Sequence, residues 1–114
     1  VMAAHNSSAT IEKSVRSCLR ALPEKSYLHI FLDRCTDGTE DIIARINDSR
    51  LVIHKNPNVH GAAQARNYIL KRISTHFVAV VDSDDFVGKH HFRKSLEEIT
   101  KFQLTKFAFG VSIK

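Results

Sequence analysis

Apolar and polar positions follow one another along this chain in two rhythms, one suited to strands and one to helices. Val1-Met2-Ala3-Ala4 reads as the tail of a strand, and the polar turn His5-Asn6-Ser7-Ser8 offers serines that can cap a helix. Ile11, Val15, Cys18, Leu19 and Leu22 then recur at helical spacing, the stripe of an amphipathic helix from about Ser8 to Leu22 that Pro23 ends. Tyr27 to Leu32 is a short apolar run, hence a strand, which breaks at Asp33-Arg34-Cys35-Thr36-Asp37-Gly38. Asp37 with Glu40 three residues on is a helix-start pattern, and Ile42, Ile43 and Ile46 give that helix its inner face. Leu51 to His54 is a third strand, closed by Asn56-Pro57-Asn58. Gly61 opens a third helix, GAAQARNYILKRI, with Ala62, Ala65, Ile69 and Ile73 on one side.

Thr75 to Val81 is an apolar, β-branched run that reads as a strand buried on both faces. A fourth helix is expected from about Lys89 to Phe102, with Phe92, Leu96 and Ile99 inward, and Lys106 to Lys114 alternates like one more strand. The order β-α-β-α-β-α-β-α-β with short links predicts parallel strands joined by right-handed crossovers. That is a doubly wound, mostly parallel α/β sheet with helices on both faces.

Composition narrows the class without naming a chemistry. A length of 114 residues with 43% hydrophobic and 25% charged positions fits one globular domain, or part of one. The strand already under way at Val1 leads us to expect a piece truncated at both ends of a longer protein. No apolar run reaches the roughly 20 residues of a membrane-spanning helix. The net charge of +5 invites a nucleic-acid reading, but the 17 lysines and arginines are scattered, and only Lys89 to Lys94 is locally basic. Nucleic acid is therefore not the expected partner; an anionic substrate and an anionic membrane face suit such a surface equally. Cys18 and Cys35 lie far apart with no metal-like spacing, which fits a reduced cytoplasmic protein. His90 and His91 are neighbours pointing about 100° apart on a helix, so they do not share one ion.

The chemistry gathers at the carboxyl ends of the expected strands. His5-Asn6, Asp33, the Asn56 to His60 loop and Asp82-Ser83-Asp84-Asp85 stand there, with Arg66 near the start of the third helix. In a parallel sheet these ends form one rim, where ligands bind. Three crowded carboxylates repel one another unless a cation or a donor-rich ligand sits among them. An isolated DxDD would more simply be an acidic loop capping the next helix; the shared rim makes a metal-assisted phosphate site the sharper reading.

Four segments, HNSSATIEKSVRSCL, LDRCTDGTEDI, NPNVHGAAQARN and VVDSDD, resemble in order and spacing the nucleotide-binding half of a family 2 glycosyltransferase with the GT-A fold. The resemblance covers nearly the whole chain. It implies transfer of a sugar from a nucleotide-diphosphate sugar, with UDP as the nucleotide, to an acceptor hydroxyl with inversion, as in polysaccharide biosynthesis. It also implies that Asp33 accepts from the uracil N–H, that Arg66 contacts base or phosphate, and that Asp82 faces ribose and diphosphate. Asp84 would bind Mn2+ or Mg2+, with Asp82 as a candidate second ligand, and Ser83 would lie along the nucleotide. Ala3 and His5 stand where the family favours Pro and Tyr beside the base, and Arg34 and Cys35 replace small residues.

The implied partners are a nucleotide-sugar donor and a saccharide or lipid-linked acceptor, the latter met at the cytoplasmic membrane face by peripheral association. The family's general base lies downstream of the acidic motif, so it is expected beyond Lys114, and this stretch is expected to bind donor without transferring sugar. One rival is a non-catalytic nucleotide-binding or interaction module of the same fold. Another is a nucleotidyltransferase, which expects a Gly-rich loop after the first strand, where HNSSATIEKS has no glycine.

Overall fold

The computed structural model describes residues 1–101. Among these residues, strands and helices alternate through β1 (Met2–Ala4), α1 (Ile11–Ala21), β2 (Leu28–Leu32), α2 (Thr39–Ala44), β3 (Leu51–His54) and α3 (Ala62–Leu70), and a further helix, α4 (His91–Lys101), follows. The strands pair in parallel in the order β1-β2-β3, with Ala4 opposite Leu32 and Phe31 opposite His54. The expected strand at Lys106 to Lys114 lies outside the described residues.

Alternation along the strands divides the interior in two. Met2, Ala4, Leu28, Ile30 and Leu32 face the larger core with Ile11, Val15, Cys18 and Leu19 of α1, Ile43 of α2 and Phe92 of α4. Phe31 faces the opposite side, where Ala65 and Ile69 of α3 cover it and Ala3 and Tyr68 pack alongside. Helices thus lie on both faces of a parallel sheet. Of the four positions expected to share α3's inner side, Ala65 and Ile69 are buried, Ile73 is partly buried, and Ala62 is exposed at the helix start. Burial in the larger core pushes the Cys18 thiol up to about 11.

The Thr75 to Val81 run departs from expectation. It forms one isolated bridge at Val80, and Val81 donates its backbone N–H to the Val1 carbonyl at 3.1 Å while Val1 nitrogen donates to Ala79 at 2.6 Å. This is a parallel contact on the edge of β1 away from β2. The run is not buried on both faces: Phe77 is 49% exposed, and the free side borders a groove of about 320 Å³ lined partly by Tyr27, Val78, Val80 and Leu96. An apolar strand is buried only where neighbours cover it, and among the described residues only β1 pairs with it. Its position still matters, because the strand sequence now reverses direction at β1, the kind of point where a doubly wound sheet opens a ligand crevice.

Helix starts are set by turn chemistry. α1 begins at Ile11, where its apolar stripe starts, and not at the expected Ser8: Ser7 carbonyl accepts from the N–H of Thr10 (3.0 Å) and Ile11 (2.8 Å). At α2, Asp37 accepts from the Thr39 N–H at 3.1 Å and from its hydroxyl at 2.5 Å, while Gly38 takes the left-handed turn at φ 91°.

Candidate functional site

Asp33 follows β2 directly, and its N–H donates to the Ala4 carbonyl at 2.8 Å, prolonging the β1–β2 ladder to the rim. Its side chain is buried: one oxygen accepts from Arg34 Nε and the other from the Gly61 N–H, both at 2.9 Å. Burial pushes this carboxyl up, but the Arg34 and Gly61 hydrogen bonds outweigh it, and the net position is below the usual carboxylate range. Nδ1 of His5 lies 2.6 Å from the Asp33 carbonyl oxygen. Asn6 accepts from the Thr36 N–H at 2.8 Å, and Asp37 accepts from the Ser8 N–H at 3.0 Å. The turns after β1 and β2 are therefore one hydrogen-bonded body. Asn6 and Arg34, at φ 45° and 48°, hold left-handed conformations at its bends.

On the other side of β1 stands the acidic loop. Single carboxylate oxygens of Asp82, Asp84 and Asp85 all lie within 4.8 Å of one another; Asp82 and Asp84 are exposed and Asp85 is buried. An all-oxygen donor set of this kind suits a hard divalent ion such as Mg2+ or Mn2+. Arg66 donates from Nη2 to Asp82 Oδ1 at 2.6 Å, and its buried Nε has no hydrogen-bond partner among the described residues. The start of α3 thus meets both halves of the rim, Asp33 through Gly61 and Asp82 through Arg66.

The residues singled out from sequence fall into connected groups. His5, Asp33 and the Gly61 amide form one; Arg66, Asp82 and Asp84 form another; Ser83 reaches the His5–Ser8 turn through a 2.7 Å contact between its hydroxyl and that of Ser7. Ala3 lies in β1 on the α3 face, packed against the smaller core. Sequence reasoning missed Thr10, Ser14 and Ser17. Thr10 donates to the Ser83 carbonyl at 3.0 Å, Ser14 to the Asp82 carbonyl at 3.2 Å, and Ser17 accepts from the Val87 N–H at 3.1 Å. The available signal was their helical spacing beside the apolar stripe.

Fold and rim together define an α/β domain of the GT-A kind. The same architecture occurs in the crystal structure of S. aureus TarS 1-349, with a TM-score of 0.79 and 25% identity over 90% of this chain and 32% of that one. Residues 1–107 match the family model described as Glycosyl transferase family 2, and the chain belongs to that family. Similar relatives include two Escherichia coli proteins named UDP-Glc:alpha-D-GlcNAc-diphosphoundecaprenol beta-1,3-glucosyltransferase. WfaP is 41% identical over 86 residues, which is 75% of this chain and 34% of that protein. WfgD is 35% identical over 85 residues, again 75% and 34%. The chain therefore spans about a third of the length of these relatives.

Proposed function

We propose that this chain forms the donor side of a metal-dependent, inverting glycosyltransferase that uses a UDP-sugar. The supporting observation is the convergence at one rim: α3 links buried Asp33 to the loop that carries three carboxylates within 4.8 Å. Asp33, with His5 and Ala3 near it, takes the uracil edge, the carboxylate accepting the ring N–H. Arg66 and Ser83 lie along the ribose and diphosphate. Asp84 holds the divalent cation with Asp82 beside it, and a bound cation there would supply positive charge to the diphosphate leaving group.

The relatives' names, giving UDP-Glc as donor and a GlcNAc-diphosphoundecaprenol acceptor, support UDP here and a lipid-linked saccharide as the whole protein's acceptor. No helix among the described residues is long and apolar enough to cross a membrane. Peripheral association with the cytoplasmic membrane face, where such an acceptor could be met, fits the proposal.

Calorimetry of UDP binding to the chain with and without Mn2+ tests the reading. The expected result is weak UDP binding that strengthens with Mn2+, loses that gain in Asp84→Ala, and comes with no sugar transfer by this stretch alone. Metal-independent binding, with Asp84→Ala behaving as the parent, would overturn the cation assignment.

A further inference from the structure

Three carboxylates within 4.8 Å of one another crowd a single short loop, with Arg66 set against Asp82, and the loop's backbone is held from outside. The holding groups are hydroxyls. Thr10, Ser14 and Ser17 recur at helical spacing and line one side of α1 and its first turn. Thr10 Oγ1 donates to the Ser83 carbonyl at 3.0 Å and Ser14 Oγ to the Asp82 carbonyl at 3.2 Å. At the far end Ser17 Oγ accepts from the Val87 N–H at 3.1 Å, and in front Ser7 Oγ meets Ser83 Oγ at 2.7 Å. The loop is gripped where it enters and where it leaves.

The Asp82 carbonyl also accepts from the Asp85 N–H at 3.1 Å, the bond that folds the loop back on itself. Ser14 therefore holds the very oxygen on which that turn closes. Ser14 and Ser17 are both buried. An apolar residue would fill such positions with better helix propensity and no polar group to satisfy. Ser14 gives its hydroxyl to the loop, whereas Ser17 donates to the Ser14 carbonyl at 2.8 Å and takes the loop's Val87 N–H as acceptor.

We infer that Thr10 and Ser14 are positioning residues for the cation site: through the Ser83 and Asp82 carbonyls they set the spacing of the Asp82, Asp84 and Asp85 carboxylates, and with it the affinity for a divalent ion. The inference rests on the cation reading above. Without the hydroxyls the carboxylates relax apart, and an arriving ion has to regather them. Partners standing behind metal ligands typically change affinity by 10- to 100-fold.

The test is Mn2+ uptake by the chain, followed by water-proton relaxation, alongside thermal unfolding. Thr10→Val and Ser14→Ala are expected to raise the Mn2+ dissociation constant about tenfold. Thr10→Ser is expected to restore it, and binding of the free base uracil in metal-free buffer, which reports the Asp33 side alone, is expected to stay at the parent's level. Should Ser14→Ala fail to fold, Ser7→Ala removes the half-buried Ser83 hydroxyl contact and is expected to weaken Mn2+ in the same direction. Variants that melt earlier yet keep the parent's Mn2+ affinity would overturn the inference and leave the cation site standing. A parent chain that takes up no Mn2+ would overturn both.

Discussion

Arg66 donates to Asp82 at 2.6 Å, placing a guanidinium against the edge of the carboxylate cluster. The side chains are 30% and 53% exposed, so the pair adds at most about 1 kcal/mol to stability. Its larger effect is on what the loop can bind. A positive group there competes with a cation for the same negative charge, yet adds attraction for a phosphate.

Arg66→Gln should therefore move two affinities in opposite directions. Mn2+ alone should bind roughly twofold tighter, the scale of one surface ion pair. UDP in the presence of Mn2+ should bind about tenfold weaker, the loss of one charge-assisted hydrogen bond. Calorimetry of each ligand measures both signs, and parallel shifts would count against this account.

Gly61 holds φ 84° and ψ 157° while its N–H reaches Asp33. Nothing lies within 4 Å of where a Cβ would stand, so Gly61→Ala meets no steric clash and isolates the backbone cost. That conformation is close to glycine-only, and the substitution should destabilise by about 1–3 kcal/mol. A lower urea midpoint with unchanged slope is the expected reading. Donor-side binding should weaken with it, because the relaxed backbone withdraws the amide from the Asp33 carboxylate.

His29 and His54 stack across β2 and β3, ring centroids 5.3 Å apart, with Nδ1 of His29 3.0 Å from Nε2 of His54. Burial holds both below the usual histidine range; the partner's charge adds to this for His29, and Arg72 adds to it for His54. The unfolded chain then takes up protons first as pH falls through about 6.5. Stability from the pair is fully present above that pH and lost below it. Urea midpoints should fall between pH 7.5 and pH 5.5, and His29→Gln should flatten that slope. A slope unchanged by the substitution would place its origin elsewhere.

Much of this architecture could be read from sequence because burial imposes its own spacing. Leu51–His54 has the bounds its apolar run indicates, and the α1 stripe Ile11, Val15, Cys18 and Leu19 is the buried face. Helix starts shifted because a hydroxyl before a helix can serve several acceptors: Thr10 gives its own to Ser83 rather than capping α1. Thr75 to Val81 misled because apolar content signals a demand for burial without naming what meets it. The rim could be anticipated from strand order, since each strand ends in a chemistry-bearing turn. The Arg66–Asp82 and Ser14–Asp82 contacts could not, because pairings over such separations follow from how helices dock on the sheet.

Strand β1 is only three residues long, yet both halves of the rim hang from its flanks. Asp33 is tied to Ala4 at one end, and the acidic loop follows directly from Val81, which is tied to Val1 at the other. A small tilt of this one short ribbon, by repacking at Met2 for example, would carry base-side and phosphate-side groups along together, like two arms on a common hinge pin. Misalignment there would dull nucleotide recognition and ion capture in the same stroke.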